Sequence, residues 1–145
     1  DAVNIEAVCR DACVYEEETA GSADIVLADV PCSGLGVIGR KTDIKYKMTP
    51  EKQEQIIKLQ RKILENAAAY VRPGGILIYS TCTIAREENQ DNIHWFVNHY
   101  PFQPESLDPY LCEELHSETT GQGYLQLLPG VHESDGFFIA RLRRV

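Results

Sequence analysis

Two apolar runs constrain this chain most: ADIVLAD at residues 23–29 and GILIYS at residues 75–80. Neither alternates apolar with polar residues through its centre, the pattern of strands buried on both faces of a parallel sheet. Parallel neighbours need a long crossover, and the segment between the runs supplies one. Thr49 and Pro50 provide a helix cap and a first helical residue. Ile56, Leu59, Ile63, Ala67 and Tyr70 follow at spacings of three and four, marking the buried face of a helix over residues 50–71. Arg72-Pro73-Gly74-Gly75 ends it. A strand is expected at residues 5–10, closing at Asp11. A second helix is expected at residues 87–99, with Ile93, Phe96, Val97 and Tyr100 on one face. Residues 124–128 and 137–142 read as strands of an antiparallel hairpin at a sheet edge. Residues 103–123 read as polar and irregular, and Arg141, Arg143 and Arg144 as a solvated tail. This order predicts an α/β fold with a mostly parallel sheet and a terminal antiparallel hairpin.

At 145 residues the chain is one domain or part of one, and without an initiator Met it is expected to start inside a longer protein. With 43% hydrophobic and 25% charged residues, it is neither disordered nor repetitive. Fourteen basic against 22 acidic residues give a net charge of −8, which argues against nucleic-acid binding by bulk charge. An enzyme acting on nucleic acid through a local patch remains compatible with it. Five cysteines without CxxC spacing suit a reducing, cytoplasmic setting. No apolar stretch is long enough for a membrane span, and no secretory signal is visible.

Ligands of parallel α/β sheets sit beyond the carboxyl ends of strands. That rule selects Asp11, the DVPCSG turn at residues 29–34 and the STCT turn at residues 80–83. Neighbouring strand tips lie roughly 5 Å apart, so Cys32 and Cys82 can face one cleft. Such a pair can bind metal, cycle as a redox couple, or act as a nucleophile with a helper. Metal binding lacks CxxC or a paired-histidine spacing, since His94, His99, His116 and His132 are scattered. A redox couple would more usually show CxxC. A thiolate nucleophile with a supporting thiol is left, beside the bland alternative of buried, inert thiols. Residue logic does not say which sulfur attacks. Arg40, Lys41, Lys45 and Lys47 cluster in the long loop after Cys32 and read as phosphate contacts, the alternative being a solvated loop. Asn89 is expected either to buttress the STCT turn or to cap the second helix.

The segments DVPCSGLGVIGRKTDIKY (29–46), LQRKILENAAAYVRPGGILIYSTCTI (59–84), the Glu88-Asn89 pair and DGFFIARL (135–142) span most of the chain in one order. Together they resemble the NOL1/NOP2/Sun family of RNA (cytosine-5) methyltransferases, and most closely its bacterial Sun/Fmu group, which methylates 16S ribosomal RNA. The resemblance implies a Rossmann-like fold that uses S-adenosylmethionine. It implies Cys82 as the nucleophile, Cys32 as the cysteine that helps product release, and Asp29 as the acid contacting both cofactor and target cytosine. It also implies Asp11 as a contact to the adenine side of the cofactor, and Arg40, Lys41 and Lys45 as RNA contacts. No metal is expected. Transfer RNA as substrate, a non-catalytic RNA-binding module and a redox α/β protein are the rival readings.

Such enzymes begin their sheet with a strand, a Gly-rich loop and a helix, and this sequence contains no such loop. Residues 1–145 are therefore expected to be the carboxy-terminal part of a methyltransferase domain. In the family's strand order, two absent strands would lie between residues 5–10 and residues 23–29. That opens a sheet edge through which the chain is expected to self-associate, or beside which its first strand docks poorly. The chain alone is expected to bind S-adenosylmethionine weakly, if at all, and to be inactive.

Overall fold

The computed structural model describes residues 3–40, 43 and 48–145. Five strands form one mixed sheet: β1 (Ala23–Asp29), β2 (Val71–Thr81), β3 (Phe102–Pro104), β4 (Tyr124–Leu127) and β5 (Phe137–Arg144). The helices are α1 (Pro50–Tyr70), α2 (Gln90–His99) and the single turn α3 (Glu118–Gly121). The strand order is β1-β2-β5-β3, with β4 also paired to β5. β1 and β2 are parallel, joined by α1 as the crossover. β5 runs antiparallel to β2, β3 and β4. The α/β reading and the terminal hairpin hold. The sheet is mixed rather than mostly parallel, because one β-α-β unit contributes one parallel ladder while β5 inserts against three neighbours.

Local chemistry explains the elements. Thr49 caps α1, its Oγ1 accepting the Lys52 N–H at 3.3 Å, and Pro50 follows. The helix passes directly into β2 at Val71. Arg72-Pro73-Gly74-Gly75 forms a bulge inside that strand, with the register against β1 shifting between Ala23 and Ile25. Gly74 has φ +75°, and a Cβ on Gly75 would lie 2.9 Å from the Asp24 carbonyl, so both positions need glycine.

The core lies on one face of the sheet, where α1 and α2 pack. Leu64, Ala67 and Ala68 of α1 and Ile93 and Phe96 of α2 meet Ala28, Leu77, Tyr79, Phe138, Ala140 and Leu142. Val97 and Tyr100 pack against this cluster, as the second-helix pattern predicts. The face of α1 is rotated from the expected stripe: Gln60, Leu64 and Ala67 are buried, whereas Leu59 is exposed and Ile56 and Ile63 are half-buried. β1 is covered on one face only. Its Ile25 and Leu27 are 63% and 67% exposed, because both long helices lie on the opposite side.

Three further expectations change. Residues 5–10 are exposed and form no strand, since no neighbouring strand pairs with them among the described residues. The chain is held downstream, where Asn66 Nδ2 donates to the Ala12 carbonyl and Tyr15 stacks on Tyr70 at 5.9 Å. Arg141, Arg143 and Arg144 are not a solvated tail but the end of β5. Glu105 pairs with Arg141 at 2.9 Å and Arg143 at 2.7 Å, which draws the segment after β3 onto the strand. Residues 103–123 hold more order than expected, including two 3-10 turns and α3, whose capping box joins Ser117 and Thr120. No helix among the described residues is long and apolar enough to cross a membrane.

Candidate active site

The parallel pair β1–β2 sets the site. Asp29 and Ser80 are register partners at the strand ends, and Ser80 Oγ donates to Asp29 Oδ1 at 2.7 Å. The Val30 N–H bonds the Ser80 carbonyl at 3.1 Å, so the two chains leave the sheet side by side. Cys32 and Cys82 follow on these exits, and their sulfurs lie 3.0 Å apart, both thiols free and half-buried. Burial, then the hydrogen bond with the Cys82 thiol, pushes the Cys32 thiol up to about 12. Cys32 therefore keeps its proton through the neutral range.

Buried polar contacts join the two turns. Ser33 Oγ and Thr83 Oγ1 meet at 2.7 Å, linking the residues that follow each cysteine. The Gly36 N–H donates to the Cys82 carbonyl at 3.1 Å, and the Gly136 N–H to the Gly36 carbonyl at 2.8 Å. A Cβ on Gly36 would fall 2.2 Å from the Gly136 carbonyl oxygen, so backbone alone fits there. Asn89 is fully buried and supports the STCT turn. It accepts from Thr81 Oγ1 at 2.6 Å and donates to the Thr83 carbonyl at 3.0 Å and Gln126 Oε1 at 2.8 Å. Of the two roles weighed for it, buttressing is the one observed: it stands at the α2 N-cap position but makes no side-chain cap.

Beside the turns opens a cleft of about 490 Å³. Asp11 and Asp29 both line it, with Val26, Pro31, Leu59 and Ile63 among its apolar wall. Asp11 holds its own turn, its Oδ1 accepting the Cys13 N–H at 2.9 Å. Of the four residues named from sequence, the two cysteines touch and the two aspartates line one cleft. Arg40 is exposed and pairs with Asp135 at 3.1 Å. Lys41, Lys45 and Lys47 lie outside the described residues.

Residues 2–143 match the family described as "16S rRNA methyltransferase RsmB/F". The chain belongs to the RsmB/F family. It is 36% identical over 142 residues to "Ribosomal RNA small subunit methyltransferase F" of Klebsiella pneumoniae (strain 342), covering 97% of this chain and 30% of that protein. It is 43% identical over 123 residues to "Probable ribosomal RNA small subunit methyltransferase B" of Bacillus subtilis (strain 168), covering 83% and 27%. NSun6 from Pyrococcus horikoshii, solved with SFG, superposes with a TM-score of 0.75 at 28% identity, over 99% of this chain and 35% of that one. The chain thus spans under a third of the length of these two curated relatives.

Within this RsmB/F domain, sequence reasoning overlooked Gln60 and Asn92 and gave Glu88 no role beyond its place in the Glu88-Asn89 pair. All three are fully buried and hydrogen-bonded to one another or to the PCS turn. One signal for Gln60 was present. It sits four residues after Ile56 and three before Ile63, on the apolar side of α1, where a surface glutamine is out of place.

Proposed function

We propose that residues 1–145 are part of the catalytic domain of a longer, cytoplasmic RNA (cytosine-5) methyltransferase acting on small-subunit ribosomal RNA. The observation that carries this reading is the 3.0 Å thiol pair, whose Cys32 directly follows Pro31 in the wall of a cleft that Asp11 and Asp29 also line. The names of the RsmB and RsmF relatives support ribosomal RNA as the substrate class.

The cleft suits S-adenosylmethionine, which carries a sulfonium and an ammonium charge. Asp11 and Asp29 offer carboxylates to a cationic ligand, and the apolar wall offers contact area for a planar base. SFG, the S-adenosylmethionine analogue bound in the NSun6 relative, supports the same choice. In this reading Asp11 and Asp29 hold the cofactor, which when bound supplies a methyl group on positively charged sulfur.

Cytosine C5 is a poor nucleophile. A thiolate adding to C6 breaks the ring's conjugation and puts electron density on C5. Cys82 performs this addition, its own proton passing to solvent, because Cys32 keeps its proton and its S–H can hydrogen-bond the Cys82 sulfur. Asp29, oriented by Ser80, faces the target ring and holds a proton on ring N3, which offsets the negative charge that thiolate addition builds there. In the release step solvent water takes the C5 proton, the electrons of that C–H bond re-form the C5–C6 double bond, and the C6–S bond breaks with its electron pair on sulfur. The Cys82 sulfur departs toward the Cys32 S–H, which lowers the cost of its charge. Arg40, Lys41 and Lys45 contact RNA phosphates beside the target base.

The test is methylation of small-subunit ribosomal RNA by the full-length enzyme, read as 5-methylcytidine by mass spectrometry. Product that disappears with Cys82→Ala supports the reading. Methylation of transfer RNA alone would replace the substrate, and methylation that survives Cys82→Ala would remove the mechanism.

A further inference from the structure

Glu88 touches neither thiol, yet the peptide groups on both sides of Cys32 lead to it. Its Oε2 accepts the Ser33 N–H at 2.9 Å, which fixes the peptide after Cys32. The same oxygen accepts from Gln60 Nε2 at 3.0 Å, and that nitrogen also donates to the Pro31 carbonyl at 2.9 Å, which fixes the peptide before Cys32. Gln60 is oriented in turn by Asn92 Nδ2, which donates to Gln60 Oε1 at 2.8 Å. The Glu88 backbone is anchored separately, its carbonyl accepting from Tyr79 OH at 2.6 Å. Glu88, Gln60 and Asn92 are all fully buried.

Burying a carboxylate is costly unless its oxygens are satisfied. Here one oxygen takes two donors while Oε1 is buried with no hydrogen-bond partner. An arrangement serving stability alone would pair both oxygens or use an apolar side chain. What this one achieves is a fixed backbone at a single residue, the cysteine whose sulfur lies 3.0 Å from Cys82.

We propose that Glu88 is the positioning residue for Cys32, clamping the PCS turn through Ser33 and Gln60 so that the two sulfurs stay in contact. The role deepens the methyltransferase reading, and it rests on that reading only where catalysis is measured.

Two measurements test it. The first needs no substrate. In this chain, diamide takes two electrons and two protons from the thiol pair, leaving a Cys32–Cys82 disulfide and a hydrazine. Peptide mapping follows the rate. Glu88→Ala should slow closure at least about tenfold, since an ångström of misplacement carries penalties of that order or more. Glu88→Gln keeps an acceptor oxygen and should stay within about threefold of the parent. Gln60→Leu, which cuts the tie to Pro31, serves as the second probe if Glu88→Ala does not fold. A folded Glu88→Ala or Gln60→Leu protein that closes the disulfide at the parent rate overturns the proposal.

The second measurement uses the full-length enzyme on RNA. Glu88→Ala should resemble Cys32→Ala, with the RNA–protein adduct persisting while product falls. A purely structural defect would lower adduct and product by one factor, and that result would also overturn the proposal. If the parent enzyme forms no adduct, the methyltransferase reading fails while the diamide result still decides the role of Glu88.

Discussion

Cys32 and Cys82 are 50 residues apart in sequence, yet their sulfurs lie 3.0 Å apart at the exits of two adjacent parallel strands. The contact follows from the register that pairs Asp29 with Ser80. Cys32 lies three residues after Asp29 and Cys82 two after Ser80, and the Ser33–Thr83 hydroxyl contact holds the next residues together.

The pair makes Cys32 a poor thiolate. Burial first, and the Cys82 thiol second, push it up to about 12, so its alkylation by iodoacetamide should stay slow until well above pH 9. The unfolded chain ionises this thiol near the ordinary value while the folded chain does not. Its contribution to stability is therefore complete below the ordinary thiol value and lost as pH rises towards about 12. Cys82→Ala removes the second cause and should bring the alkylation profile of Cys32 down in pH. Per-cysteine mass spectrometry across a pH series measures both effects.

Asn89 serves three partners in the STCT turn and the neighbouring β4. Asn89→Ala would strand the buried Thr81 hydroxyl, at a cost of about 1–3 kcal/mol before any relaxation, and would take the donor from Gln126 Oε1. Urea unfolding should show a lower midpoint, and Cys82 should become more accessible to alkylation.

Gly36 lies between two carbonyls. Gly36→Ala would set a Cβ 2.2 Å from the Gly136 oxygen and 2.8 Å from the Cys82 oxygen, so the loops must part. The expected loss is about 1–3 kcal/mol of stability by thermal or urea unfolding, accompanied by slower disulfide closure between Cys32 and Cys82.

Arg40 pairs with Asp135 on the surface, its side chain 78% exposed. Such a pair contributes little, so Arg40→Ala should change stability by less than about 1 kcal/mol. If the side chain contacts phosphate, the full-length enzyme should bind RNA more weakly, and its log–log salt slope should fall by about 1. Filter binding at several salt concentrations measures this.

The parts of this fold that declared themselves in sequence rest on local chemistry. Thr49-Pro50 caps α1, the apolar centres of β1 and β2 form strands, and α2 buries Ile93 and Phe96. The catalytic candidates were singled out by the strand-end rule, which places Cys32 and Cys82 at neighbouring tips, and by the family resemblance, which gives them roles. What escaped depends on distant partners. Residues 5–10 have a strand-like pattern but no strand beside them among the described residues. Arg141 and Arg143 read as solvated until Glu105, 36 residues before Arg141, supplies their counter-charge. Glu88 stood in the sequence only as a member of the Glu88-Asn89 pair and Asn92 drew no reading, since nothing local says that Ser33 and Gln60 will meet them.

The central claim is that the Cys82 sulfur adds to a cytosine in RNA. The most direct measurement incubates the full-length enzyme and S-adenosylmethionine with RNA carrying 5-azacytidine, whose ring nitrogen at position 5 has no proton to lose, so release is blocked. A covalent RNA–protein complex should accumulate, map to Cys82 by peptide mass spectrometry, and vanish with Cys82→Ala. A complex that maps to Cys32, or that persists in Cys82→Ala, would contradict the account.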